Sequence, residues 1–206
     1  MINLIAHRGL WTTNEEKNSL KALKKALSSN ISIETDIRDY DGKIYLSHDP
    51  ISDYSSLVSL DFLLTLHSSL KSKSKLFLNV KSDGLYNLIN NDNTIIKDYS
   101  YFFDMSFPEM VQYDRKNFNY LIRLSEFENP KINYFHFNGF WIDSFYNDNW
   151  YFESKISLLP DKIYAFVSPE LHKQDFSNFW RKLKELKSDL FLCTDYIDKA
   201  KEYFHV

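Results

Sequence analysis

The sequence is poor in cysteine and has no long apolar run. Cys193 is the only cysteine among the 206 residues, so an internal disulfide is excluded and nothing indicates an oxidising compartment. The cysteine ends the apolar run 190–193, which predicts a buried, unreactive thiol. No segment approaches the roughly 20 apolar residues that a transmembrane helix needs, and no charged leader precedes the first apolar segment. We therefore expect a cytoplasmic protein without a transmembrane segment.

The sequence also lacks an excess of positive charge. Its formal net charge is -3, so it has no global basic field of the kind that attracts nucleic acid or anionic membranes. Basic residues interleaved with aromatic ones, as in a nucleic-acid groove, are missing too. These absences exclude nucleic acid as the expected partner and favour a small-molecule ligand. The oligomeric state remains open.

Apolar segments alternate with amphipathic ones along the chain, which predicts a parallel sheet with crossover helices in a single domain spanning residues 1–206. Helices are expected after Asn18, which suits the helix-capping position, over 60–70, from Pro108 and over 176–186. Residues around 129–138 are too few for a full helix and predict a loop or a single turn. Eight strands fit the sequence, over 3–6, 31–37, 76–80, 101–105, 120–124, 140–143, 163–167 and 190–193.

The most informative feature is an acidic pair on the second predicted strand. Glu34 and Asp36 are spaced i, i+2, so their side chains lie on one face of the strand, about 7 Å apart. Carboxylate oxygens at about 2 Å are suitable ligands for a hard divalent cation. His7 and Arg8 precede this pair and His48 follows it, which adds two acid/base candidates and a phosphate-binding cation. The combination predicts a reaction centre.

These motifs together resemble the glycerophosphodiester phosphodiesterase family. The resemblance rests on Ala6-His7-Arg8-Gly9, Asn18-Ser19, Ile33-Glu34-Thr35-Asp36, Asp41-Gly42 and His48-Asp49, with later matches at Asn79-Val80-Lys81, Ser106-Phe107-Pro108-Glu109 and Thr194-Asp195-Tyr196. It implies a (β/α)8 TIM barrel. Such barrels usually have about 250 residues, so a chain of 206 residues is expected to have short loops. The resemblance also implies phosphodiester hydrolysis that depends on one divalent ion, Mg²⁺ or Ca²⁺, with a small glycerophosphodiester as the substrate class.

The resemblance further implies a role for each site residue. Glu34, Asp36 and Asn79 would hold the metal, and Arg8 and Lys81 would bind the phosphate oxygens. The general acid and base would be His7 and His48, in an order that the sequence leaves open.

One of these positions departs from the family pattern. The family usually has a carboxylate where this chain has Asn79, so the site loses one negative charge. An amide oxygen is still a competent hard ligand, and a weaker but active site is the favoured interpretation. The alternative is a catalytically impaired barrel that binds a phosphate ligand. A third possibility is the same chemistry ending in a cyclic phosphate, as in lyase-type relatives.

Several residues on the later strands are further candidates. Trp141 is a candidate for substrate binding because it alternates with Asp143 on the sixth predicted strand, and core filling explains it equally well. Glu170 and His172 follow the seventh strand and are candidates for contacting substrate. Asp195 ends the eighth strand and is a candidate for orienting a neighbouring group.

Overall fold

The computed structural model describes residues 1–128, 136–146, 150–154, 158–159, 161–186 and 188–206. Most of the segment predicted as a loop between the fifth and sixth strands, 129–135, lies outside these residues. The chain forms two compact units, one of residues 6–120 and one of residues 1–5 with 121–206. The first strand, β1 (Ile2–His7), contributes residues to both.

The unit of residues 6–120 contains parallel strands with helices between them. Strand β2 pairs in parallel with β4, and β4 with β5, while β3 folds back antiparallel on β2 through the Asp41-Gly42 turn. Four helices begin at side-chain caps in which Ser19, Ser59, Asn93 and Ser106 accept hydrogen bonds from backbone N–H groups of the first turn. The elements are β2 (Ser32–Tyr40), β3 (Lys43–Leu46), β4 (Leu76–Val80), β5 (Ser100–Phe103), α1 (Leu20–Ser28), α2 (Leu60–Ser69), α3 (Thr94–Tyr99) and α4 (Phe107–Arg115), with 3₁₀ turns at Asn14–Glu16 and Leu85–Asn87.

The second unit repeats this alternation. Its strands pair in parallel in the order β6, β7, β8, β9, and β1 lies beside β9. Helix α6 buries Phe179, Trp180 and Leu183 on one face, which is the amphipathic pattern that the sequence predicts. The elements are β6 (Leu121–Leu124), β7 (Gly139–Ile142), β8 (Ile163–Val167), β9 (Leu190–Thr194), α5 (Trp150–Glu153), α6 (Ser177–Glu185) and α7 (Ile197–Phe204), with a 3₁₀ turn at Pro169–His172.

The strands are buried on both faces, as parallel strands covered by helices must be. Every residue of β4 and of β7 is buried, and Cys193 on β9 is a buried free thiol as predicted. The element order and the parallel pairing confirm the predicted α/β fold of the (β/α)8 class. No helix within the described ranges combines the length and hydrophobicity of a membrane span.

The structure corrects the sequence interpretation near the start of α1. Asn18 was expected to cap this helix, but Ser19 does so, and Asn18 adopts φ +59°. Its side-chain oxygen instead accepts a hydrogen bond from Thr35 on β2 at 2.7 Å. Asn18 therefore ties the loop after β1 to β2, which carries Glu34 and Asp36.

Candidate active site

The turn after β1 fixes the first basic residue of the site. Arg8 and Gly9 both have positive φ, +61° and +91°, and a side chain at Gly9 would meet the Ala22 carbonyl carbon at 2.8 Å. The backbone N–H of Arg8 donates to the Glu34 carbonyl at 2.8 Å, and its own carbonyl accepts from the N–H of Asn18 at 3.0 Å. The left-handed turn therefore holds Arg8 directly against β2.

The three predicted metal ligands occupy neighbouring positions on β2 and β4. Asp36 lies opposite Asn79 in the parallel register. Glu34, Asp36 and Asn79 are 3%, 1% and 8% exposed. Burying charged groups to this extent is costly unless they are compensated, so the arrangement indicates a specific role.

Both predicted phosphate-binding cations contact Asp36. Arg8 Nε lies 2.8 Å from Asp36 Oδ2, and Lys81 Nζ lies 3.5 Å from Asp36 Oδ1. Neither contact has hydrogen-bond geometry, so Arg8 Nε and both Asp36 oxygens are buried without a hydrogen-bond partner. His7 is nearby, with its Nε2 at 3.9 Å from Glu34 Oε2. The structure thus brings His7, Arg8, Glu34, Asp36, Asn79 and Lys81 together.

The environment of Glu34 disfavours its ionised form. Burial raises the pKa of the Glu34 carboxyl well above its ordinary value, and the negative charge of Asp36 raises it further. Arg8 and Lys81 lower this pKa in part, while the carboxylate of Asp104 adds to the increase. Paired carboxylates with perturbed pKa values are frequent at functional sites.

Four buried acceptor atoms at this point lack a hydrogen-bond donor. They are Glu34 Oε2, Asp36 Oδ1, Asp36 Oδ2 and Asn79 Oδ1. Unsatisfied buried acceptors are rare, and an ordered water or a bound cation is the usual explanation for them. Carboxylate and amide oxygens suit a hard divalent ion. Within the described part of the chain, no three His, Cys, Asp or Glu side chains are arranged to hold a metal, so such an ion would need the Asn79 amide or a further ligand.

His48 lies just beyond β3 and is more exposed than the acidic residues. The preceding residue, Ser47, donates its backbone N–H to the Asp36 carbonyl at 3.1 Å, which places this segment beside β2. His48 Nδ1 is 2.8 Å from Asp49 Oδ1, and the imidazole side chain is 49% exposed. A carboxylate on Nδ1 favours the tautomer that leaves Nε2 free to accept a proton.

The candidates from the later strands all belong to the second unit. Trp141 is buried on β7, 4% exposed, and its predicted contact with substrate stays a prediction. Asp143 Oδ1 accepts a hydrogen bond from His172 Nε2 at 2.7 Å, and this contact raises the pKa of His172. Glu170 accepts hydrogen bonds from Ser168, Thr194 and the backbone N–H of Asp195, so it braces the ends of β8 and β9.

Sequence reasoning assigned no role to two carboxylates beside the predicted residues. Asp49 was visible as the neighbour of His48, and the adjacency was the available signal. Asp104 comes immediately after β5, and its Oδ2 is 3.9 Å from Lys81 Nζ. The signal for Asp104 was its place at the carboxyl end of a parallel strand, where functional residues of such folds collect.

The strands, helices and clustered charges define a protein of the (β/α)8 class with an acidic and basic centre formed at the carboxyl ends of β1 and β4 and at residues 34–36 of β2. No protein-family model matches the sequence, and no curated protein matches it significantly.

Solved structures do match the fold. A provisionally assigned glycerophosphodiester phosphodiesterase of Galdieria sulphuraria has a TM-score of 0.74 at 16% identity, covering 100% of this chain and 98% of its own. An Oleispira antarctica phosphodiesterase, solved with its product sn-glycerol-3-phosphate, has a TM-score of 0.69 at 14% identity, covering 99% and 97%. The glycerophosphodiester phosphodiesterase of Agrobacterium tumefaciens has a TM-score of 0.66 at 14% identity, covering 100% of both chains. At these identities the similarity establishes a shared fold, in agreement with the resemblance seen in the sequence.

Proposed function

We propose that this protein is a phosphodiesterase that uses one divalent cation, Mg²⁺ or Ca²⁺, to hydrolyse a small glycerophosphodiester. The proposal rests on one observation: buried oxygens of Glu34, Asp36 and Asn79 accept no hydrogen bond, and Arg8 and Lys81 lie beside Asp36. The fold shared with phosphodiesterases supports it, as does the product sn-glycerol-3-phosphate held by one of them.

In this proposal Glu34, Asp36 and Asn79 would hold the cation, which when bound would polarise the phosphorus centre and neutralise negative charge there. Arg8 binds non-bridging phosphate oxygens with its planar guanidinium, and Lys81 binds them as a point charge. Both side chains contact Asp36 in the structure, which supports a shared role for them in this proposal.

Proton transfer is assigned to the two histidines. One of His7 and His48 removes a proton from the attacking water, and the other donates a proton to the departing alkoxide oxygen. Asp49 orients His48 through the 2.8 Å contact with Nδ1. His7 Nε2 lies 3.9 Å from Glu34 Oε2, so His7 is next to one of the proposed cation ligands.

Replacing each histidine tests this assignment. We expect His7→Asn and His48→Asn each to lower kcat for glycerophosphodiester hydrolysis by about 10²–10⁴, the usual contribution of a general acid or base. His205→Asn is the matched control, because His205 is exposed with φ +59° and asparagine tolerates that conformation. Full activity in either site variant would contradict the assignment.

A further inference from the structure

Asp104 is placed by the β4–β5 register next to the proposed cation ligands. Asn79 on β4 lies opposite Phe103, the last residue of β5, and Asp104 follows directly. Its side chain is 16% exposed, and its φ is +68°. Asparagine and aspartate adopt this left-handed conformation more readily than other residues with side chains, so it ends the strand at little cost.

Asp104 and Asp36 both lie close to the ammonium group of Lys81. Lys81 Nζ lies 3.5 Å from Asp36 Oδ1 and 3.9 Å from Asp104 Oδ2, and neither distance is that of a short hydrogen bond. The charge of Asp104 also reaches Glu34, where it adds to the increase in pKa of that carboxyl. Asp104 therefore belongs to the same electrostatic cluster as the two buried carboxylates.

Asp104 changes the net formal charge of the cluster. The carboxylates of Glu34 and Asp36 are balanced by Arg8 and Lys81, which lie against Asp36. A balanced cluster has little attraction for a divalent cation, since affinity in such sites increases with the number of charged ligands. The carboxylate of Asp104 gives the cluster an excess of one negative charge, and Asn79 contributes only a neutral amide.

We propose that Asp104 supplies a third negative charge beside the cation site, acting through Lys81 and not as a direct ligand, in compensation for the neutral Asn79. The inference rests on the proposed function and deepens it. Asp104 offsets the charge of Lys81, so that Asp36 Oδ1 remains an acceptor for the cation. On this account the third negative charge lies at the end of β5, next to the neutral Asn79 on β4, and the site remains competent to bind a metal.

Cation affinity of four full-length proteins tests the inference directly. Mg²⁺ and Ca²⁺ would each be titrated by calorimetry into the wild type, Asp104→Asn, Asn79→Asp and the double variant. We expect Asp104→Asn to weaken binding by about tenfold or more, because charges near 4 Å interact strongly at a partly buried site. Asn79→Asp alone should tighten binding, and the double variant should return to within about threefold of wild type, since it restores the same number of charges.

Two controls separate this effect from unfolding. Asparagine suits the backbone of position 104, and thermal unfolding of each variant without cation checks that it folds. Asp92→Asn removes the same charge from an exposed carboxylate, 93% accessible, that pairs with Lys97 at 3.1 Å. It should leave cation affinity unchanged.

The outcomes distinguish this inference from the proposed function. If the wild type binds the cation but Asp104→Asn binds it equally well, the inference is wrong while the proposed function stands. If the wild type and the variants behave as expected in binding but no phosphodiester is cleaved, the inference is supported and the proposed function is wrong. A wild type that binds neither cation would overturn both.

Discussion

At the scale of single residues, Glu34 combines a cost in stability with a role in the proposed chemistry. It is 3% exposed and lies near Asp36, and both burial and that charge raise the pKa of its carboxyl. A carboxyl whose folded-state pKa is raised destabilises the folded protein at pH values above its ordinary pKa, because ionisation is easier in the unfolded chain. The ionised Glu34 therefore lowers the stability of the folded protein at neutral pH.

Glu34→Gln removes this penalty and keeps the shape of the side chain. We expect the cation-free variant to unfold at a temperature about 2–4 °C higher than wild type at pH 7, as for a gain of about 1 kcal/mol in a chain of this length. Phosphodiesterase activity should be lost together with cation binding. Calorimetry in EDTA measures the first effect and a turnover assay the second. A lower melting temperature with activity retained would show that Glu34 is a structural residue.

At the scale of secondary-structure elements, β7 and β8 approach too closely for any side chain at Gly139. A Cβ added there would lie 2.0 Å from the Ile163 carbonyl oxygen and 2.6 Å from the Ile163 nitrogen. Both are backbone atoms of the neighbouring strand, in register with Gly139. Moving to another rotamer cannot relieve such a clash, so the strands would have to separate.

Gly139→Ala should lower the free energy of unfolding by about 3 kcal/mol, toward the upper end for overpacked sites. Gly42→Ala is the matched control, because Gly42 has φ +71° but nothing within 4 Å of an added Cβ. The free energy of unfolding of that control should fall by only about 1–2 kcal/mol, which is the cost of placing alanine in a left-handed conformation. Denaturant unfolding measures both. Equal losses in the two variants would argue against the close approach of β7 and β8.

A second link between elements depends on pH. Asp143 follows β7, and its Oδ1 accepts from His172 Nε2 in the turn after β8 at 2.7 Å. The hydrogen bond to Asp143 is the main cause of the raised pKa of His172, with smaller contributions from Glu126 and Glu170, while burial opposes the increase. Because the folded-state pKa is raised, this link stabilises the protein fully below the ordinary histidine pKa of 6.5. The stabilisation is lost as pH increases through the folded-state pKa.

His172→Gln should therefore lower the melting temperature more at pH 6 than at pH 9. Asp143→Asn should reduce the same difference, since it removes the acceptor that favours the charged imidazole. Melting temperatures measured across this range in both variants test the link. A loss that is the same at all pH values would mean that His172 stabilises the protein through packing alone.

The elements that the sequence predicted best are those with a continuous apolar signal. Strands β4 and β8 match their predicted limits, 76–80 and 163–167, because each is a short run of apolar residues, interrupted in β4 only by Asn79, with polar residues on both sides. Helix α3 was missed because it has only six residues and begins from an asparagine-rich loop, where Asn93 caps it with a side-chain hydrogen bond to Ile95 N–H. Short elements of this kind depend on their tertiary packing and caps more than on periodicity.

At the scale of the whole molecule, the proposed site was only partly predictable. The i, i+2 spacing on β2 was enough to predict that Glu34 and Asp36 share a face. The contact of Arg8 with Asp36 depends on the left-handed turn after β1, and that of Lys81 on the register between β2 and β4. Asp104 joins them because β5 ends next to β4. A motif records residue types and spacing, and it contains neither a turn geometry nor a strand register.

The central claim is that the buried oxygens of Glu34, Asp36 and Asn79 that accept no hydrogen bond bind a cation required for phosphodiester hydrolysis. Phosphorus NMR of the full-length protein with a panel of glycerophosphodiesters, in Mg²⁺, in Ca²⁺ and in EDTA, tests it most directly. We predict a phosphomonoester signal that grows with at least one of the two ions and is absent in EDTA. A final cyclic phosphate would assign the same site to the lyase reaction. No product with either ion, from folded protein, would contradict the claim and favour a barrel that only binds a phosphate ligand.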